Sequence, residues 1–364
     1  MNKKYNIGNF GLFTTIIVTV IGIGIFSYPR IVVRIVENDA VLVTLLAGII
    51  NIGLLLYING AIKINDYKSL SDIIDDNFGK IVSKIILCIF IAYFIIVISL
   101  GVRTFAGVIK MYLLEKTPIE FIIVVLVLTA GYHLRKGLEN VINFNEFVFW
   151  FMFIPAVLLL ILPLKEADFT NLLPLFKSKP VSYLQATLTS VFSFAGFEAV
   201  YFILPHMDKK NKIKKVSINS MIFVTVFYCA VLILVIAIFT KQDIKMLMYS
   251  MITLSRIIDI PGAFIERWYG AALTLWVLFF YTTFINFYYF AADSLKSVLN
   301  FSDVRLCPLI LSPIIYVAAI LPQNVLSVER LMDSITIYFF AFTTIVFPSM
   351  LYVKKILKSK RRKK

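Results

Sequence analysis

Long apolar stretches, separated by short polar segments, follow one another through almost the whole chain of 364 residues. A helix that crosses a membrane needs about 20 consecutive residues of mostly apolar character. The pattern predicts ten such spans, namely Phe10–Val36, Ala40–Ile62, Ile81–Met111, Pro118–Leu134, Val141–Leu164, Leu184–Leu204, Val216–Phe239, Trp268–Ala292, Arg305–Leu321 and Ser334–Val353. The segment Gln242–Arg267 has a mixed pattern, and we expect an amphipathic surface segment there rather than a span.

The composition narrows the class of protein further. Hydrophobic residues make up 60% of the chain and charged residues 16%, against roughly 45–50% and about 25% in soluble domains. A soluble core of this size could not bury so much apolar surface, which excludes a soluble enzyme, a disordered chain and a disulfide-stapled domain. The three cysteines have no metal-ligand spacing, and no catalytic dyad, phosphate loop or cofactor fingerprint occurs. We therefore expect neither an enzyme nor a bound metal or cofactor.

The basic residues predict how the chain is oriented. The net charge is +15, and positive residues prefer cytoplasmic loops. With the N-terminus in the cytoplasm, 23 basic residues lie inside and 12 outside, and Arg103 lies within a span. Both termini are then cytoplasmic, and the charge reflects membrane topology rather than nucleic acid binding. Lys354–Lys364 holds eight basic residues; anionic lipid headgroups are the expected partner of this tail, with a simple stop-transfer anchor as the alternative.

Two of the apolar stretches carry interruptions at matching places. The first is interrupted at Gly22–Gly24 and the sixth at Phe194–Glu198, and Gly24 and Gly196 are 172 residues apart. Because five is odd, five spans followed by five more have opposite orientations. The sequence thus predicts one transmembrane domain over residues 1–364, with inverted repeats at 10–164 and 184–353 and a basic cytoplasmic tail at 354–364. Paired interruptions in inverted halves indicate a transporter-type site near the membrane midplane.

The interrupted segments supply the candidate binding residues. A glycine costs about 1 kcal/mol relative to alanine inside a helix, and a broken helix at membrane depth leaves N–H and C=O groups that need partners. These groups can form a backbone cradle for a ligand carboxylate, although close helix packing through small residues is the alternative. The candidates are Gly22, Ile23, Gly24 and Ile25 in the first span and Ala195, Gly196, Phe197 and Glu198 in the sixth.

Two ionisable residues lie within apolar spans. Carboxylates inside a membrane are costly and face a cavity or a partner, so Glu198 is a candidate for recognising a ligand amine, exchanging a proton or gating. A structural hydrogen bond is the alternative. Arg103 needs an anion or carbonyl groups, and Glu198, Glu120 and Glu115 are its candidate partners in an ion pair. Its alternative is to reach the outer interface.

The eighth span carries adjacent hydroxyl groups near its middle. Tyr281 and Thr282 are candidate residues of a ligand pocket, and Thr282 with Thr283 forms a candidate cation site. Hydroxyls bonded to carbonyls of the preceding helical turn are the common alternative.

Seven short motifs, taken in order, resemble one known family. They are Gly22–Phe26 with Pro29-Arg30, Val102–Phe105, Lys116–Glu120, Arg135–Glu139, Asn171–Pro174, Ala195–Glu198 and Asp259–Gly262. The chain resembles the spore germination permease family, the B subunit of nutrient germinant receptors, within the amino acid–polyamine–organocation transporter superfamily.

The resemblance implies both a fold and a function. The fold is an all-α, ten-helix inverted repeat with broken first and sixth helices, in the spore inner membrane. The implied function is sensing of amino acids or similar nutrients, together with A-type and lipoprotein C-type receptor subunits. The implied pocket consists of Gly22, Gly24, Gly196, Phe197 and Glu198, to which the eighth span adds Tyr281 and Thr282. A proton- or sodium-coupled amino-acid permease of the same fold is the alternative, and only the resemblance separates it from a receptor.

Overall fold

The computed structural model describes residues 7–257 and 268–362. Within these residues the regular structure is helical, apart from one isolated parallel bridge between Ile7 and Met207. The helices are α1 (Asn9–Val20), α2 (Tyr28–Val36), α3 (Ala40–Lys63), α4 (Leu70–Phe78), α5 (Lys80–Tyr112), α6 (Ile119–Leu134), α7 (Leu138–Ile161), α8 (Pro180–Ser193), α9 (Val200–Ile203), α10 (Ile213–Ile238), α11 (Lys241–Met246), α12 (Ser250–Ile257), α13 (Trp268–Leu299), α14 (Cys307–Ile320), α15 (Val325–Leu331), α16 (Ile337–Ala341) and α17 (Phe347–Arg362).

Three of the features expected from the sequence lie wholly or partly outside the described residues. The Asp259–Gly262 motif lies wholly outside them. Of the predicted surface segment, α11 and α12 are described and residues 258–267 are not. Of the predicted termini, Lys3 and Lys4 at one end and Lys363 and Lys364 at the other lie outside as well.

The long apolar helices make this a multi-pass integral membrane protein. By length and composition, six stretches of the described chain can each cross a membrane, and the bent pair Pro180–Ser193 and Phe197–His206 makes a seventh. The six are Tyr28–Lys63, Lys80–Tyr112, Leu138–Glu166, Lys210–Ile238, Leu273–Leu299 and Ser327–Lys358. The helices α1, α6 and α14 are apolar but shorter, with 12, 16 and 14 residues.

Both interruptions expected from the sequence are present. The first apolar stretch is divided into α1 and α2, which are separated by a 3-10 turn at Ile23–Phe26. The sixth is divided into α8 and a second half that starts with a 3-10 turn at Phe197–Ala199, and the two halves are bent by 43°. The last apolar stretch also departs from regular α-helix. Its helices α15, α16 and α17 are joined by π-helical turns at Met332–Thr336 and Phe342–Val346.

The helices pack in two groups that meet around the interruptions. The first group contains α1, α2, α3, α8, α9 and α10, and the second contains α5, α6, α7, α13 and α14. Helix α1 also packs against α7 and α13 of the second group. Backbone bonds from Ile7 N to the His206 carbonyl (3.1 Å) and from Asp208 N to the Ile7 carbonyl (3.2 Å) tie the start of α1 to the end of the sixth stretch. We call this the Ile7 end of the bundle.

Charged residues tie the loops together at the opposite end, the Glu37 end. Glu37 lies between α2 and α3, and its carboxylate pairs with Lys241 (2.6 Å) and Lys245 (2.7 Å) of α11. The neighbouring Asp39 accepts bonds from the backbone N–H groups of Phe176 (2.6 Å) and Ser178 (3.2 Å). The loops that follow α7 and α10 are therefore anchored to the α2–α3 corner.

The described part of the predicted basic tail, residues 354–362, is the last part of helix α17. Two of its lysines contact the short helix α4, because Lys358 bonds the Asp76 carbonyl and the Lys354 ammonium lies 5.3 Å from the Phe78 ring centre. At the same end, Lys210 lies 4.8 Å from the Tyr67 ring centre. Lys354 and Lys358 thus have partners within the protein.

Candidate functional site

The first interruption packs tightly against helix α13. The N–H of Gly22 bonds the Val20 carbonyl at 3.0 Å, which ends α1. A Cβ atom added to Gly22 would lie only 2.5 Å from Oγ1 of Thr283, so a larger residue would push the two helices apart. Gly24, two residues further on, is exposed, and an added Cβ there would meet nothing within 4 Å. The backbone around Gly24 is therefore the open part of this interruption.

The second interruption contacts the last residues of α1, just before the first interruption. Gly196 has φ of +128°, a conformation that side-chain-bearing residues rarely adopt, and an added Cβ would lie 2.8 Å from the Thr19 carbonyl oxygen. Its neighbours differ in exposure: Ala195 is half-buried, whereas the buried Phe197 ring packs against Phe340 with centroids 5.8 Å apart. The two broken helices thus meet through backbone, as a shared cradle requires.

Glu198 lies fully buried at this meeting point. Its Oε2 accepts a bond from Gly196 N at 2.6 Å, and its Oε1 accepts one from the Tyr93 hydroxyl at 2.9 Å. Thr343 Oγ1, in the second π-helical turn, lies 3.5 Å from Oε1, and the Thr343 carbonyl accepts a bond from Tyr201. A buried carboxyl group needs such partners to offset its desolvation. Glu198 therefore joins the second interruption to α5 and to the last helix.

Two carbonyl groups in the last turn of α8 accept bonds from side chains of other helices. The side-chain amide of Asn51 donates to the Val191 carbonyl at 3.3 Å, and the Tyr228 hydroxyl donates to the Ser193 carbonyl at 3.4 Å. Both donors belong to the first helix group, so they fix the position of α8 within that group. The interruption is supported without help from a ligand on this side.

The adjacent threonines of α13 face the end of α1. Thr283 Oγ1 donates to the Val18 carbonyl at 2.9 Å and lies 3.3 Å from the Thr19 carbonyl. Thr282 Oγ1 bonds carbonyls of its own preceding turn, at 3.1 Å, and lies 3.9 Å from the sulfur of Met152. The structure thus brings the hydroxyls and the α1 carbonyls together, and these groups bond one another.

Other candidates from the sequence lie away from this cluster. The Tyr281 ring packs against Phe144 and His133, with centroids 5.8 and 6.3 Å apart, on the side of α6 and α7. Arg103 donates to the Gln323 carbonyl at 3.2 Å. It lies ten residues beyond Tyr93 on α5, or about 15 Å along the helix. Among the described residues, Arg103 and Glu198 therefore do not form an ion pair.

Ile25 faces a different environment from Gly24. With Phe26 it lines a small apolar cavity that is completed by side chains of α7, α10, α12 and α13. Ile23 belongs to the same 3-10 turn. The four predicted residues of the first interruption are therefore adjacent in the chain but do not all face the Glu198 side.

Several residues at the site were not expected from the sequence. Tyr93 and Thr343 contact Glu198, and nothing in the sequence separates them from the other tyrosines and threonines of the spans. Asn51 and Asn145, by contrast, are buried amide side chains inside apolar stretches. Polar residues at membrane depth are rare enough that this pattern would have identified both.

Two broken helices that meet around a buried carboxyl group define a transporter-like membrane protein. A substrate-bound, outward-open Na+-coupled sialic acid symporter superposes on 94% of this chain and 80% of its own, with a TM-score of 0.64 and 13% identity. MhsT in complex with L-phenylalanine superposes on 98% of this chain and 99% of its own, with a TM-score of 0.65 and 12% identity. At these identities the likeness shows the fold alone, which is that of LeuT-type transporters.

Sequence comparison identifies the family within this fold. The family model described as spore germination protein matches residues 6–328. Spore germination protein A2 of Bacillus subtilis (strain 168) is 30% identical over 287 residues, 78% of each chain. Spore germination protein B2 of the same organism is 25% identical over 68% of each chain, and GerQB of Bacillus cereus is 24% identical over 76% of each. The chain belongs to the spore germination permease family, which confirms the resemblance seen in its motifs.

Proposed function

We propose that this protein is a transporter-like subunit of a nutrient germinant receptor, which senses an amino acid or similar small molecule and helps to trigger spore germination. The observation that carries the proposal is the meeting of Gly196 with the end of α1 beside the buried Glu198. The names of the family members indicate the process, which is spore germination. The transporter fold suggests that a small molecule binds between the two broken helices.

The two interruptions provide complementary groups for an amino acid. Backbone N–H groups near the exposed Gly24 are the proposed partners of the ligand carboxylate, because an added Cβ at Gly24 would meet nothing within 4 Å and a ligand can therefore approach. Glu198 suits an amine, which would compete with Gly196 N–H and the Tyr93 hydroxyl for its two oxygens. The proposed ligand-binding residues are Gly22, Ile23, Gly24, Ile25, Ala195, Gly196, Phe197 and Glu198, with Thr282 at the border. Tyr281 packs elsewhere and lends this pocket no support.

Binding at this position would change contacts between helices. Glu198 connects the second interruption to Tyr93 on α5 and to the π-helical turn at Thr343, so a new partner for Glu198 alters both connections. A ligand shifts a two-state protein only if its affinity differs between the states. A change in the hydrogen-bond partners of the buried Glu198 carboxyl group supplies such a difference in affinity. This mechanism does not require that a solute be transported.

The proposed topology contains ten spans in a 5+5 inverted repeat. The broken pairs α1–α2 and α8–α9 each form one span, α15–α17 form another, and α3, α5, α6, α7, α10, α13 and α14 supply the rest. The Ile7 end is cytoplasmic, in keeping with the predicted charge distribution, and the membrane is the spore inner membrane. A-type and C-type receptor subunits are the proposed protein partners. Anionic lipid is the proposed partner of exposed tail lysines such as Lys355.

A sodium-coupled amino-acid permease of the same fold is the second candidate. It is favoured by the hydroxyls of Thr282 and Thr283, which lie close to the Val18 carbonyl. It is disfavoured by the direct hydroxyl–carbonyl bonds there and by the nearby Met152 sulfur, because a thioether is a soft ligand.

Germination of spores with and without this gene tests the receptor proposal. Single nutrients are screened against both strains, and the responding nutrient is then tested on spores that carry the restored gene. We expect one nutrient, or a small group, to require the gene. An identical response of both strains to every nutrient would contradict the proposal.

A further inference from the structure

Four buried polar side chains form a cluster just beyond the candidate site, toward the Ile7 end. The amide nitrogen of Asn145 on α7 donates to Thr15 Oγ1 (3.2 Å) and to Asn286 Oδ1 on α13 (2.9 Å). The amide nitrogen of Asn286 donates to Thr19 Oγ1 at 2.9 Å. None of the four residues is more than 1% exposed. The cluster therefore joins α1 of the first helix group to two helices of the second.

The cluster is directly continuous with the candidate site. Thr19, which accepts the Asn286 bond, is the residue whose carbonyl oxygen lies against Gly196 and 3.3 Å from Thr283 Oγ1. The start of α1 is bonded through Ile7 to the end of the sixth stretch. A displacement of α1 away from α7 and α13 would thus break the bonds from Asn145 to Thr15 and from Asn286 to Thr19, and it would alter the cradle at the same time.

The cluster is not fully satisfied in this arrangement. Within the described part of the chain, Asn145 Oδ1 is buried and has no hydrogen-bond partner. A buried, unpaired carbonyl oxygen disfavours the arrangement that contains it. If α1 moved away, water could reach the four side chains and replace their bonds. The bonds of the cluster thus favour one position of α1, and the unpaired oxygen lowers the free-energy cost of leaving that position.

We propose that Asn145 and Asn286 are positioning residues that hold α1 against α7 and α13 and thereby set the nutrient concentration at which the receptor responds. The part of this proposal that concerns nutrients rests on the receptor function proposed above. The part that concerns the position of α1 does not, since it follows from the bonds alone.

Thiol labelling of the full-length protein in membranes tests the position of α1 without any ligand. The reporter is a cysteine introduced by Leu12→Cys, at a fully buried position of α1, in a chain whose exposed Cys88 is replaced by serine. The native buried Cys307 of α14 reports general unfolding. Asn286→Leu removes two of the three bonds of the cluster, those that join Asn286 to Asn145 and to Thr19. Asn59→Leu is the matched control, because Asn59 is a buried asparagine that bonds Ser217 within the first helix group.

We expect Asn286→Leu to speed labelling at position 12 by roughly 3- to 20-fold, the range for one interhelical polar contact in a membrane. Asn59→Leu should leave that rate unchanged, and Cys307 should stay protected in both variants. Thr19→Val should act like Asn286→Leu, whereas Thr19→Ser keeps the hydroxyl and the slow rate. An unchanged rate in Asn286→Leu, or an equal rise at Cys307, would overturn the proposal.

Spores supply the second measurement. With protein amount checked by immunoblot, Asn145→Leu and Asn286→Leu should respond at a several-fold lower nutrient concentration than wild type or Asn59→Leu. A higher concentration at equal protein amount would overturn the proposed role in setting the threshold. If no nutrient response of the spores depends on this protein, the proposed receptor function is wrong. The labelling result still tests the position of α1 in that case.

Discussion

At the scale of single residues, Glu198 shows how one buried group can serve both fold and function. Its two carboxyl oxygens contact Gly196, Tyr93 and Thr343, which belong to three different helical segments. These contacts stabilise the interruption, and in the proposed function a ligand amine takes the place of one of them. The structural and functional interpretations of Glu198 are therefore compatible.

We predict that Glu198→Gln weakens the nutrient response more than Thr282→Ala or Thr283→Ala does. The amide keeps the size of the carboxyl group but lacks its negative charge, so it cannot form a charge-assisted bond with a ligand amine. The loss of that bond raises the half-maximal nutrient concentration roughly 10- to 100-fold. The threonine hydroxyls mainly bond backbone carbonyls, so their removal should shift that concentration less. Germination of variant spores over a nutrient dilution series measures the difference, and equal effects in all three variants would contradict the prediction.

The sequence identified some of these residues and could not identify others. Glu198 was predictable because a carboxylate inside an apolar span is costly. Tyr93 was not, because its role depends on the rotation of α5, which hydropathy does not reveal. Arg103 was expected to have Glu198 as a candidate partner, but its position along α5 places it by Gln323 instead.

At the scale of helices, the interruptions depend on how closely backbones approach. Gly196 combines a positive φ with a Cβ direction that points at the Thr19 carbonyl, so the sixth stretch can bend only if this position lacks a side chain. Gly22 and Gly24 in the first stretch, and Gly196 at the matching place in the sixth, predicted the interruptions. It did not predict that Gly22 and Gly196 are packed whereas Gly24 is open.

We predict that Gly196→Ala abolishes the nutrient response, because the new methyl group must displace backbone and the φ of +128° strains it by about 1–3 kcal/mol. Gly107→Ala is the matched control, since this glycine lies inside α5 with nothing within 4 Å of an added Cβ. It should respond normally and gain about 0.4–1 kcal/mol of stability. Dose–response curves and thermal unfolding of both variants provide the check, and a normal response of Gly196→Ala would show that the close approach is dispensable.

Helix ends were harder to predict than helix centres. The last span was expected at Ser334–Val353, but helix extends from Val325 to Arg362 because the lysines and arginines beyond the apolar part are good helix formers. Helix α4 was missed, although Ser69 caps it by accepting a bond from Asp72 N–H. A nine-residue amphipathic helix carries too few apolar positions to register as a span.

At the scale of the whole molecule, the proposed orientation follows from the predicted excess of basic residues on the cytoplasmic side. Lys212 is exposed at the Ile7 end, and Lys177 is exposed at the Glu37 end beside the Ser178–Asp39 contact. We predict that a cysteine at position 212 is labelled only from the cytoplasm and one at position 177 only from outside. An impermeant thiol reagent, applied to intact cells and to inverted vesicles, measures this. Cytoplasmic labelling at position 177 would reverse the proposed orientation.

Dependence on a driving ion distinguishes the two candidate functions of the whole molecule. An ion-coupled carrier needs such an ion, whereas a sensor does not. At the candidate cation site the Thr283 hydroxyl already bonds the Val18 carbonyl, and the Met152 sulfur lies beside Thr282. Sodium would have to break these bonds and accept a soft neighbour, which hard cations disfavour. We therefore predict that replacing sodium by potassium leaves the nutrient response of spores unchanged. Sodium-driven uptake of labelled amino acid by this subunit alone, abolished by Thr282→Ala and Thr283→Ala, would instead establish a permease.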